Sequence, residues 1–380
     1  MMASTAQINH RMLTWARERS GIALPEFAAK CGVTVDRLRD WEDGKHPLTF
    51  NQAQNYAQKA HVPFGYLFLR QPPVDELPIP DLRTLGDRGV DRPSAELLDL
   101  VKMTVQRQQW YRDYLLGELA APCDVVGRGR GKDNVLDIVS DMRQQLSVGL
   151  HPTRGDSDEY YRKLVEKIES LGVLVMRESF LGHYTRMFRV DEFRGFAIAD
   201  EYAPVIFVNH ADAPGPRLFT LIHELCHIWL GITGLSDGSE DAHRDSEKLC
   251  NAVAAEFLVP EAEFRPLWRA LEDWKANLPS LEAHFRVSKW VIARRALTLG
   301  YISAIQYQNF ISEQIALWKQ REKSDQKISH YRVKNAQISS NFSRAVLSQA
   351  FNGHLLLREA GELLNVKPAN IRKFANEVGI

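Results

Sequence analysis

The chain is expected to be mainly α-helical with a small sheet, an α+β protein whose first and last parts are helical throughout. Three observations predict this. Apolar residues recur at helical spacing over most of the 380 residues, with Gly21, Gly32 and Gly44 punctuating the early part. Only three short runs read as strands, at 172–176, 195–199 and 205–208. Directly after them, residues 219–231 are apolar on nearly every side, as a buried helix must be.

Taken in order, residues 8–19, 25–31, 35–41, 50–60 and 64–69 read as short helices. Within 24–44 a small residue stands in one helix, Gly32 in the turn, and an apolar residue two places into the next helix. Close crossing of two helices needs this pattern, which is the helix-turn-helix arrangement. With its closing Trp41-Glu42-Asp43-Gly44, the region 1–70 resembles the Cro/CI-type (XRE) DNA-binding domain. The resemblance implies that the helix over 35–41 enters the major groove of double-stranded DNA, with Thr34, Arg37 and Arg39 touching bases or phosphates. Asp36, Asp40, Glu42 and Asp43 surround those arginines, and residues 1–70 hold nine basic against six acidic side chains. A docking or dimerisation module, which would pair two copies of the chain, is the competing reading.

Residues 71–92 open with four prolines and read as an extended linker. The next stretch, 93–150, reads as a helical connector, with helices over 93–121 and 134–146. Between them Gly127-Arg128-Gly129-Arg130-Gly131-Lys132 lacks the preceding strand and the spacing of a phosphate loop, so a flexible basic loop is expected. A further helix at 157–171 precedes the three strands.

The helix over 219–231 carries His223, Glu224 and His227. Positions i and i+4 share a helix face, so both imidazoles can reach one cation. Glu224 lies beside them, placed to take a proton from a water at the cation, which is the division of labour in H-E-x-x-H metalloproteases. The His-Glu-His set is almost the helix's only polar surface, and charged groups on a buried helix need a partner. A third ligand is expected from the following helix, where spacing alone leaves Glu247 and Glu256 open. The run from Glu247 to Pro260 has the form E-x-x-C-N-x-x-A-A-x-x-L-x-P, and over roughly 172–260 the chain resembles the ImmA/IrrE metallo-endopeptidase family. That resemblance assigns the ligand role to Glu247. It leaves Glu256 as a helix-surface or supporting carboxylate, and implies a zincin-like domain over 151–300 that uses Zn2+ or another divalent ion such as Mn2+. His243 is either a solvated side chain or a group near the site.

Residues 301–380 are expected to be helical, polar from about 313 to 337. From Glu313 onward there are eleven basic and six acidic side chains. The segment 358–375 reads as a second helix-turn-helix or a packed helical hairpin. Trp268, Trp274 and Trp290 fit a helical core and receive no chemistry.

Over the whole chain 48 basic side chains balance 48 acidic ones, so global charge says nothing of nucleic acid. Cys31, Cys123, Cys226 and Cys250 lie far apart without a disulfide pattern, as in a reducing cytoplasm. Neither a membrane span nor a signal peptide is expected. The function implied is a DNA-binding zinc endopeptidase that cleaves a transcriptional repressor or an antitoxin-like regulator. The alternative is a transcription regulator or antitoxin-like binder whose metal site is not proteolytic; Glu224, useless to a purely structural zinc, weighs against it.

Overall fold

The computed structural model describes residues 5–80, 93–182, 186–236, 245–320 and 337–379. It is 59% helical, with sixteen helices and one four-stranded sheet among the described residues, so the mainly α, small-sheet class holds. None of these helices is long and apolar enough to cross a membrane. The chain divides into two compact units, 1–77 with 91–102, and 78–90 with 103–380.

The first unit contains α1 (His10–Arg19), α2 (Leu24–Cys31), α3 (Val35–Glu42) and α4 (Phe50–Lys59). The helix expected at 64–69 is instead a tighter 3-10 turn, Phe64–Phe68. Gly32 ends α2 in the left-handed region, at φ 73°, and Thr34 starts α3 by accepting the Arg37 N–H on its hydroxyl at 3.2 Å. Met12, Leu13, Phe27, Leu38, Trp41 and Tyr56 fill the core. Glu42 turns inward, bound by Arg17 at 2.7 and 2.9 Å and by the Tyr56 hydroxyl at 2.7 Å. Gly44 is needed because a Cβ there would meet the His10 ring at 2.9 Å. The Trp-Glu-x-Gly sequence is thus a packing device.

The expected extended linker is tied down at its described ends. Asp75 binds Arg19 and Lys102, each at 2.6 Å, because two cations converge on one half-buried carboxylate. Pro80 accepts the Leu235 N–H at 3.0 Å. The remainder, 81–92, lies outside the described residues.

The boundary between units falls within α5 (Ala95–Gly117), which is followed by α6 (Val135–Leu146) and α7 (Ser157–Ser170). Strands β1 (Leu174–Glu178), β2 (Gly195–Ile198) and β3 (Val205–Asn209) precede α8 (Pro214–Leu230). A short β4 (Gly234–Ser236), too brief to show alternation, completes a sheet of order β1-β3-β2-β4. β1 runs parallel to β3, Leu174 opposite Val205, whereas β2 is antiparallel to both β3 and β4, Gly195 lying opposite Val208 and Ser236. Thereafter come α9 (Asp245–Leu258), α10 (Glu261–Leu267), α11 (Leu278–Phe285), α12 (Lys289–Thr298), α13 (Ala304–Gln320), α14 (Ser340–Phe351), α15 (Leu357–Leu364) and α16 (Ile371–Val378).

β2 and β3 are buried on both faces, so they read as continuous apolar runs. One core joins Ile206 and Val208 of β3, Leu221, Leu225 and Trp229 of α8, Val253 and Phe257 of α9, and Ile292 of α12. It also takes in Ile138, Met142 and Leu146 of α6, so that the 93–150 stretch is no mere connector: α6 supplies a wall of the core that holds α8.

The glycine-rich loop is not free either. Gly127 and Gly129 donate their N–H groups to the Ile228 and Trp229 carbonyls at 3.0 and 2.8 Å; the first shares its acceptor with the Gly231 N–H, and the second fills an acceptor that the end of α8 leaves open. Arg128 forks onto Asp141 at 3.1 and 2.7 Å, and the Trp229 indole donates to that same carboxylate at 2.8 Å.

In the C-terminal helices, the Ser340 N–H donates to the buried Glu169 carboxylate, and Asn341 donates to the Glu169 carbonyl at 2.7 Å. Arg107, itself buried, donates to the Leu363 carbonyl at 2.9 Å and pairs with Glu178 at 3.2 Å. Within 358–375 the chain runs helix, turn, helix. Gly361 permits the turn, since a Cβ there would meet the Val366 carbonyl at 2.6 Å. The expected polar stretch falls partly on 321–336, outside the described residues.

Candidate metal centre and active site

α8 enters through Pro214 and ends at Gly231, whose φ of 69° suits only a left-handed cap. Because α8 is buried from Leu218 to Leu230, its polar groups are held away from bulk solvent. His223 and His227, one turn apart, point their Nε2 atoms at each other across 3.2 Å. Glu247, in the first turn of α9, spans both, with Oε2 3.2 Å from His223 and Oε1 3.0 Å from His227. All three side chains are almost wholly buried.

The donor set fits a cation. A tetrahedral ion holding nitrogen and oxygen at about 2.0–2.1 Å sets its ligands roughly 3.3–3.4 Å apart, close to the separations here. Burial depresses the basicity of His223 despite its carboxylate neighbour, which keeps the ring neutral and its lone pair available. For Glu247 burial opposes ionisation, but the hydrogen bonds from His223 and His227 outweigh it and hold the carboxyl at about 2. A neutral His223 and an ionised Glu247 are in the ligand forms a divalent ion requires.

Of the two glutamates left open, Glu247 is the one that stands beside both histidines. Glu256 lies later on α9, buried rather than on the helix surface, paired with Arg295 of α12 and accepting the Glu261 N–H at 3.2 and 3.3 Å. A buried arginine on the adjacent helix claims it. His243 lies outside the described residues.

Glu224 is fully buried and faces β2. Gly195 stands so close that a Cβ would lie 2.7 Å from Glu224 Oε1, 2.8 Å from Thr220 Cγ2 and 2.9 Å from the Phe207 carbonyl. The strand therefore approaches the helix only because residue 195 lacks a side chain. Sequence reading grouped Gly195 with the strand and missed this role.

A small cleft of about 60 Å³ opens onto His223 and Glu224. Its other walls include Arg194, Phe219, Trp290, Arg294 and Tyr307. Arg194 is bound to Asp212 at 2.9 Å, and Arg294 lies over the Phe219 ring at 4.4 Å. Trp290, assigned no chemistry from sequence, lines the cleft and packs on Gly215, where a Cβ would come within 2.5 Å of its ring.

Thr34, Arg37 and Arg39 are separate from this centre, all exposed on the first unit. Arg39 lies 3.6 Å from Asp36, and Lys45 and His46 neighbour Asp40 at 4.0 and 3.7 Å, so acidic and basic groups are interspersed around α3. The four cysteines are free thiols.

Comparison with known proteins agrees with the geometry. Residues 338–377 match a domain of unknown function, DUF8813, whereas no curated protein and no solved structure matches the chain. Residues 168–297, which carry His223, Glu224, His227, Glu247 and Gly195, match the family model Peptidase_M78, described as an IrrE N-terminal-like domain, so this segment is similar to metallopeptidases of the ImmA/IrrE kind.

Proposed function

We propose that the chain is a zinc-dependent endopeptidase that cuts a regulatory protein, a transcriptional repressor or an antitoxin-like regulator. The observation that carries this reading is the buried convergence of His223, His227 and Glu247, with His223 and Glu224 both lining a cleft. Zn2+ suits two imidazoles and one carboxylate, and another divalent ion such as Mn2+ is the alternative. When bound, such an ion lowers the pKa of a water toward neutrality and polarises a carbonyl oxygen.

The chain's own groups do the rest. His223, His227 and Glu247 hold the ion. Glu224 takes the proton from the attacking water as its oxygen adds to the peptide carbonyl carbon, then returns it to the amine nitrogen as the C–N bond breaks. Phe219 and Trp290, with the guanidiniums of Arg194 and Arg294, favour a large apolar or an acidic side chain in the cleft. Glu224→Gln removes the base without touching a ligand. It is expected to retain the metal and the fold while cleavage of a peptide substrate falls by about 10²- to 10⁴-fold. Cleavage at the parent rate would overturn the mechanism, and metal retention with no cleavage by the parent itself would favour the non-proteolytic binder.

We further propose that the first unit binds double-stranded DNA through Thr34, Arg37 and Arg39, placing the peptidase beside DNA-bound substrates and raising their effective concentration. The exposure of all three supports this. Thr34 has a structural duty besides, as the cap of α3. Arg37→Ala and Arg39→Ala should weaken mobility-shift binding and flatten its salt dependence while peptide cleavage is unchanged. Binding at low salt that ignores both substitutions would favour the docking or dimerisation module.

A further inference from the structure

A second cluster of metal-ligating side chains lies apart from the residues of the metal centre. His151 stands in the α6–α7 loop, Glu263 on α10 and His284 on α11. His151 Nε2 and His284 Nε2 each lie 3.0 Å from the same Glu263 oxygen, Oε2. Among the described residues, this trio and the His223–His227–Glu247 set are the groups so arranged.

The ligand atoms already converge: one atom from each of the three side chains lies within 4.8 Å of the others. His151 Nδ1 lies 3.4 Å from the Pro152 carbonyl, so the ring can hold its proton there and present Nε2 as a ligand. With the ring centroids 4.4 Å apart over one carboxylate, a single divalent ion can meet a nitrogen from each ring and an oxygen of Glu263.

We propose that His151, Glu263 and His284 bind a divalent transition-metal ion of the zinc class, which clips the α6–α7 loop to α10 and α11. The imidazole and carboxylate donors select Zn2+, Co2+ or Ni2+ over Ca2+ and Mg2+. The Pro152 carbonyl, 3.4 Å from His151 Nδ1, is placed to accept from that nitrogen once Nε2 ligates, as outer partners do in metal sites. Buried Phe285 packs against both rings, at 5.7 and 4.7 Å, and dries one side. On the other side the histidines keep 20% and 36% of their surface in solvent, so an ion can enter and complete its shell with water. The clip also bears on the cleft, since α11 packs against α12, which carries Trp290 and Arg294.

The test is Zn2+ content of the full-length protein after equilibration with excess Zn2+ and removal of the unbound ion, compared among the parent, Glu247→Gln, His284→Gln and the double variant. About two ions per chain are expected in the parent, about one in each single variant and none in the double variant. Added Zn2+ should raise the unfolding midpoint of Glu247→Gln and leave that of the double variant unmoved. If the parent holds about one ion and only His284→Gln loses it, the reading of His223 and His227 fails and this proposal stands. If His284→Gln, folded by circular dichroism, holds as much Zn2+ as the parent, the cluster is a proton-bridged pair and the proposal is overturned.

Discussion

His210, in the loop between β3 and α8, offers a quantitative test of how that loop is built. Burial, reinforced by the positive charges of Arg217 and Arg177, drives its pKa from 6.5 down to about 2. Its Nε2 lies 3.1 Å from the Tyr161 hydroxyl. In the folded protein the ring is therefore neutral, while in the unfolded chain it takes up a proton below 6.5. Unfolding binds a proton throughout the window from about 2 to 6.5, so stability rises with pH there. The contribution is fully present above 6.5 and lost as pH falls. At about 1.36 kcal/mol per unit, the drop from 6.5 to a pH of about 5 amounts to roughly 2 kcal/mol. His210→Gln retains a group that can meet the Tyr161 hydroxyl but no longer titrates. Urea midpoints across this range should show the parent losing about 2 kcal/mol more than the variant on acidification. The comparison concerns slopes, so any constant cost of the substitution cancels. A pH-independent difference, or imidazole NMR signals from His210 that titrate near its ordinary value, would refute the argument.

Two more substitutions probe the site's surroundings. Gly195→Ala pushes a methyl group against Glu224, Thr220 and the Phe207 carbonyl, so peptide cleavage should fall by about 10²-fold with metal content unchanged; parent-like kcat would show that the strand yields. Arg295→Met leaves Glu256 buried without its counter-charge and should cost about 3–5 kcal/mol by chemical denaturation, most of it recovered when Glu256→Leu is added; additive costs in the pair would sink the reading.

What could be read from the residues alone follows from how local the signals are. His223, Glu224 and His227 declare themselves because ligand spacing and the helical repeat coincide within five residues. α2 and α3 are legible through Gly32 and Thr34, whose roles depend on local backbone geometry. Glu247 needed a family resemblance, since the choice against Glu256 turns on Arg295, 39 residues further along the chain. Gly195 shows no local sign of its duty, which exists only because β2 lies against α8. The histidines at 151 and 284 are equally silent, for their shared carboxylate arises from three segments that meet only in the fold. The loop at 127–132 looked free because its partners are backbone carbonyls, which carry no sequence signature.

That loop bears on where the peptidase can be cut out of its chain. The matched segment begins at residue 168, yet the end of α8 is bound by Gly127 and Gly129, the latter taking the Trp229 carbonyl, and its indole is held by Asp141. A fragment trimmed to the matched boundaries would leave that carbonyl to water and uncover the apolar faces that α6 and α7 now seal. The packing of α8 therefore has an upstream dependency, and a fragment meant to fold on its own is expected to need a start before the glycines.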